Sequence, residues 1–63
     1  MSLGRNLTIL MYDHKVNKME LAERIGVSPS MISKTLSGEK TPSVEKCAKI
    51  AEFFGITLDE LIK

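Results

Sequence analysis

Apolar residues recur along this chain at intervals of three and four, with no stretch of strict alternation. Leu3, Leu7 and Leu10, then Leu21 and Ile25, then Ile32 with Thr35 or Leu36, then Val44, Cys47, Ile50, Ala51 and Phe54 each fall on one face of a 3.6-residue period. Such a stripe buries one side of a helix against its neighbours and leaves the other side to water. The spacing predicts five helices, at about 3–13, 18–25, 29–37, 42–54 and 58–62, and so an all-α fold. Val27, Ile56, Leu58 and Leu61 close the core from the loops and the last helix. Ile9, Met31, Phe53 and Ile62 are apolar but lie off the inward faces. They are candidates for a dimer surface, and each reads equally well as an ordinary exposed apolar residue.

The punctuation between these runs agrees with the period. Asn17 followed by Glu20, and Thr57 followed by Glu60, fit a capping box, in which a cap side chain and a glutamate satisfy amides left unpaired at a helix start. Ser28-Pro29 and Thr41-Pro42 give another start signal, a hydroxyl cap before a proline whose missing N–H costs nothing in the first turn. Gly26, Gly38 and Gly55 each follow a periodic run, where glycine can take the left-handed conformation that ends a helix. Gly4 has no such reading.

The chain has 63 residues, which is one domain, 1–63, burying only ~60% of its unfolded surface. No disulfide or metal cluster is offered as a staple, so self-association is expected to supplement the small core. The single cysteine, Cys47, lies on an inward stripe and reads as a packed thiol in a reducing compartment. No run approaches the ~18 apolar residues of a membrane span, nothing resembles a signal peptide, and the expected location is cytoplasmic. Met1-Ser2-Leu3 fits either a native start or the remnant of an expression tag. The net charge of +1 divides unevenly: residues 1–49 hold eight Lys/Arg against five acids, or +3, and residues 50–63 hold one against three, or −2. A basic body with an acidic tail suits nucleic acid on one side and a partner on the other. Catalysis has little support, because His14 is the only histidine, no nucleophile or second ligand accompanies it, and neither a phosphate-binding glycine loop nor metal-ligand spacing occurs. No cofactor is expected.

Residues 20–32, ELAERIGVSPSMI, carry the most specific pattern. Ala22 lets one helix pass closely over another, Gly26 turns the chain, and Val27 and Ile32 pin the second helix at the steep angle of a helix-turn-helix, which would span about 18–37. Over nearly its whole length the chain resembles the Cro and phage-repressor type of helix-turn-helix family, also called Xre-like. The matching segments are Lys18 to Ala22, Gly26 to Ser28, Ile32-Ser33, Gly38 to Ser43 and Leu58 to Leu61. The resemblance implies a compact five-helix, lambda-repressor-like DNA-binding domain, usually dimeric, with the third helix as recognition helix.

Three departures from the family pattern matter. Lys18 stands where the family usually has a phosphate-contacting Gln, a change that keeps attraction to the DNA backbone. Met11 and Leu36 replace an Arg and a Glu that pair between helices 1 and 3 in many members; both charges are absent together, and an apolar contact can replace an ion pair at little cost. The third departure concerns readout. Ser28, Pro29, Ser30, Ser33 and Lys34 map onto the base-contacting positions, yet none is Gln, Asn or Arg. Pro29 can lie against a thymine methyl, the serines donate or accept with little discrimination, and Lys34 can bond guanine O6 and N7. Lys34 is thus the one discriminating hydrogen-bonder expected, beside its plain reading as a solvated lysine. Asn17, Lys18 and Lys40 are the expected phosphate contacts, with Glu39 partly offsetting Lys40.

The reading that follows is a minimal regulator, binding double-stranded DNA as a homodimer on half-sites ~34 Å apart and repressing by blocking polymerase. With no ligand-binding domain in view, a signal would act through concentration, dimerisation, proteolysis or a partner protein. The rival is a protein-interaction module that kept the fold and lost base readout; a DNA-binding antitoxin would do both. Phe53 and Ile62 are the leading dimer-surface candidates.

Overall fold

All five expected helices are present in the computed structural model, which describes residues 3–63: α1 Leu3–His14, α2 Lys18–Ile25, α3 Pro29–Ser37, α4 Val44–Phe54 and α5 Leu58–Ile62. Of the segment Met1-Ser2-Leu3, the first two residues lie outside the described part, and Leu3 is buried in the core.

One terminator is used four times. The amides of Val16, Val27, Glu39 and Ile56 donate back across the helix end to the carbonyls of Met11, Ala22, Lys34 and Ala51, at 2.9, 2.9, 2.9 and 3.0 Å. This wrap satisfies carbonyls that a helix end would leave bare, and it requires a left-handed residue just past the last turn. Gly26, Gly38 and Gly55 supply it after α2, α3 and α4, at φ of 76°, 81° and 71°. After α1 the same position is held by Lys15 at φ 55°. Helix starts are as regular: Asn17 Oδ1, Ser28 Oγ, Ser43 Oγ and Thr57 Oγ1 accept from the amides of Glu20, Met31, Lys46 and Glu60. The reciprocal bond of a full capping box is seen at Thr57, whose amide donates to Glu60 Oε1 at 3.2 Å.

The start of α4 corrects the sequence reading. Thr41-Pro42 does not open the helix; Ser43 caps it and Val44 is its first residue. Pro42 is buried instead, with its carbonyl 3.7 Å from the Cys47 thiol that donates to it. The proline therefore covers the core where Val44 was expected to do so. Val44, at the margin of the inward stripe and in the first turn, is 73% exposed. Thr35 rather than Leu36 is the deeper residue of α3, its hydroxyl donating to the Met31 carbonyl at 2.9 Å while Leu36 packs partly buried at the core edge.

Each helix contributes one wholly buried aliphatic side chain: Leu7, Leu21, Ile32, Ile50 and Leu61. Burial of such a side chain is worth about 1.5–3 kcal/mol, so the core is shared evenly and no helix is dispensable. α3 is held between α2 and α1, while α5 packs on α4 and α1. Asn6 Nδ2 ties α1 to the end of α5 by donating to the Leu61 carbonyl at 2.7 Å. Gly4 finds its reason in the packing of α1 on α3: a Cβ there would lie 2.7 Å from the Leu36 carbonyl oxygen and 2.9 Å from that of Thr35. Met11, the departure from the family's arginine, is buried in the core.

Candidate nucleic-acid interface

α3 is oriented from its inner side. The Ala22 carbonyl accepts from the amides of both Gly26 and Val27, closing α2 and turning the chain within three residues. Ala22, at 1% exposure, leaves room for the neighbouring helix, and Ile32 and Thr35 anchor α3 in the core. The outer side is thereby committed to solvent. Ser28, Pro29 and Ser30 are exposed, and Met31, Ser33 and Lys34 are half-buried along it.

Part of the expected base-reading set comes together. Ser28, Ser30 and Lys34, with Met31 and Lys40, line one open hollow of about 210 Å3. Lys40 reaches it because the end of α3 is knotted around a single carbonyl: Lys34 O accepts from Ser37 Oγ at 3.1 Å, from the Glu39 amide at 2.9 Å and from the Lys40 amide at 3.2 Å. A residue expected to read bases thus positions, through its backbone, a residue expected to hold phosphate. Pro29 and Ser33 do not line this hollow, and Asn17 and Lys18 stand apart at the start of α2, both exposed.

The charges and donors on this side are unspent. Among the described residues, Lys18, Lys34 and Lys40 form no ion pair, with neighbouring Glu39 or any other carboxylate. Ser28 Oγ accepts from Met31 N at 3.2 Å, which leaves its hydroxyl proton free to donate. Asn17 Oδ1 is taken by Glu20 N at 2.7 Å, which leaves its Nδ2 as the group it can offer. Free ammonium groups and hydroxyl donors at the solvent-facing surface suit an anionic polymer with acceptor-rich edges.

The two leading dimer-surface candidates occupy different places. Ile62 lines an apolar groove of about 230 Å3 with Thr41, Pro42, Val44, Cys47 and Leu58. Phe53 lines a wider hollow between α2 and α4 with charged residues such as Arg24 and Glu52, and its ring meets Phe54 edge-on with centroids 5.0 Å apart. Sequence reasoning missed Val44 for the groove because the stripe assigned it inward, and missed Met31 for the recognition side because it offered Met31 as a dimer-surface candidate. Of the remaining reactive side chains, exposed His14 meets Phe54 edge-on at 5.0 Å, and Cys47 is buried, which pushes its thiol up from its ordinary pKa. Among the described residues no cluster of His, Cys, Asp and Glu could hold a metal, and no helix is long and apolar enough to cross a membrane.

A family model described as helix-turn-helix matches residues 15–61. The chain belongs to the helix-turn-helix family. Its type is the Cro-like and Xre-like one that the residues of α2 and α3 resemble. Among curated members of this helix-turn-helix family, the chain is 36% identical over 62 residues to the HTH-type transcriptional activator BcrR of Enterococcus faecalis. That match covers 98% of the chain and 30% of the Enterococcus protein, so the chain spans under a third of that relative's length. It is also 33% identical over 48 residues to the uncharacterized HTH-type transcriptional regulator MJ0272 of Methanocaldococcus jannaschii, covering 76% of the chain and 73% of that protein.

Proposed function

We propose that the chain is a sequence-specific transcription regulator that works in the cytoplasm as a homodimer, with α3 in the major groove of double-stranded DNA. The observation that carries this reading is the hollow on α3, where Lys34 and Lys40 meet Ser28 and Ser30 on open surface and neither lysine has a carboxylate partner among the described residues. Lys34 bonds guanine O6 and N7, while Ser28, Pro29, Ser30 and Ser33 lie along the neighbouring base edges. Lys40, Lys18 and the Asn17 amide hold phosphates on either side and set the register without reading sequence. Family membership supports the same reading, since both relatives carry transcriptional regulation in their names.

The second copy of the dimer fits the apolar groove between α4 and α5. A two-fold interface joins the same patch on both subunits, so the patch must complement itself. This one does, carrying a protruding side chain, Val44, beside a recess lined by Pro42, Cys47, Leu58 and Ile62. The groove begins at Thr41, next in the chain to Lys40 of the hollow on α3.

Repression by occupying an operator is the direction we propose. BcrR is named an activator and is a longer protein, so the position of the operator relative to the promoter is the variable that would reverse the sign. Selection from a random duplex library at two salt concentrations, with Lys34→Ala alongside, tests the reading. An enriched palindrome whose preference relaxes in Lys34→Ala is the expected result. Weak binding without sequence preference, lost on adding salt, would instead favour a protein-interaction module on the same fold.

A further inference from the structure

We infer that Met31 is a further specificity-determining residue of α3, and that the hollow it lines receives the C5 methyl group of a thymine. The inference rests on the DNA-binding reading above and deepens it by naming the base.

Met31 is held where a reader needs to be held. Its amide donates to Ser28 Oγ at 3.2 Å and approaches the Ser28 carbonyl at 3.1 Å, while its own carbonyl accepts from the hydroxyl of buried Thr35 at 2.9 Å. The backbone is therefore fixed from both the preceding and the following turn, and only the thioether chain adapts. That chain is half-buried, so it is neither spent on the core nor loose in solvent. It is the one apolar side chain among the five that line the hollow, the others being Ser28, Ser30, Lys34 and Lys40.

An apolar, polarisable surface ringed by hydroxyls and ammonium groups discriminates in the major groove by a simple rule. Thymine alone among the four bases presents a methyl group there; cytosine presents an amino group and a bare C5 edge. A methyl against a thioether loses water on both sides and leaves no donor unpaired, whereas an amino group held against the thioether itself would lose its water there for only a weak acceptor. Methionine is also the side chain best able to adjust its shape to such a contact. The hollow, at about 210 Å3, has room for a methyl and the base edge that carries it. Lys34 lies three residues further along α3, about 4.5 Å, against about 3.4 Å per base step, so this thymine lies beside the guanine read by Lys34.

The test uses the intact chain and the duplex it selects. Thymine is replaced by uracil, which lacks only the methyl, at each position of one half-site in turn, and binding is measured for wild type, Met31→Ala, Met31→Leu and Pro29→Ala. At one position the wild type is expected to lose about fourfold in affinity, the equivalent of ~0.8 kcal/mol for one buried methyl. Met31→Ala should bind the thymine and uracil duplexes equally, while Met31→Leu and Pro29→Ala should keep the penalty. A wild type indifferent to uracil at every position, or a penalty that persists unchanged in Met31→Ala, would overturn the inference while leaving the DNA-binding reading intact. A penalty lost in Pro29→Ala and kept in Met31→Ala would assign the methyl to Pro29 and overturn it equally. A wild type that selects no sequence overturns the underlying reading, and this inference with it.

Discussion

Lys15 sits at φ 55°, in the conformation that the ends of α2, α3 and α4 give to glycine. A side chain there brings its Cβ against the following carbonyl, at a cost of roughly 1–2 kcal/mol that glycine does not incur. Nothing in the structure offsets the strain: Lys15 is exposed, and its side chain makes no hydrogen bond or ion pair among the described residues. Glycine would give back part of the gain through its greater freedom in the unfolded chain. Lys15→Gly is therefore expected to stabilise the domain by about 0.5–1 kcal/mol, a rise in Tm of roughly 3–6 °C that thermal unfolding followed by circular dichroism would detect. An unchanged or lower Tm would mean that the lysine stem packs well enough on its surroundings to outweigh its backbone. Gly4 shows the opposite use of the same residue type. It takes no unusual φ, and it is glycine because two carbonyl oxygens of α3 fill the space where a Cβ would stand.

At the level of elements, the helix that sequence placed least well is the one that makes the sharpest test. Ser43, not Thr41, caps α4, so Ser43→Ala should cost about 1 kcal/mol while Thr41→Ala, at an exposed position ahead of the helix, should be near neutral. Comparable losses from both would return the start of the helix to Thr41-Pro42. Of the other helices, α2 and α3 were the most legible because period, cap and stop agreed: Leu21 and Ile25 between Asn17 and Gly26, and Ile32 between Ser28 and Gly38. At α4 two hydroxyls flank one proline, and local chemistry does not say which hydroxyl caps. The choice was made by tertiary packing, which takes Pro42 into the core and turns Val44 out. The end of α1 was nearly as well placed, yet its terminator was invisible because a lysine occupies the glycine position. At the site, the family resemblance set Ser28, Ser30 and Lys34 among the base-facing positions, and these three line one hollow. Spacing could not show the Lys34 carbonyl gathering Lys40 to the same place, nor Met31 lying between them, because both depend on how the 37–40 loop folds back.

For the whole molecule, size decides what kind of dimer is to be expected. The domain measures 24 × 23 × 20 Å, so two copies side by side reach far enough to set their α3 helices ~34 Å apart. Its accessible surface is 4275 Å2, and a typical interface takes ~10% of a small protein's surface, which is about 400 Å2 from each partner here. That lies below the usual range for stable complexes. The dimer we propose should therefore be weak in free solution, in the micromolar range, and tighten on DNA, where the first bound copy would hold the second at high effective concentration. Val44→Ser with Ile62→Ser should abolish association in sedimentation equilibrium and make operator binding non-cooperative. Val44 is 73% exposed and Ile62 37%, so the monomer should lose only the remaining burial of Ile62, about 1 kcal/mol, and stay folded. Phe53→Ser, in the separate hollow between α2 and α4, should leave association intact. Loss of association from Phe53→Ser alone would move the interface to that hollow. A wild type that stays monomeric at high micromolar concentration and binds its operator without cooperativity would remove the dimer from the mechanism.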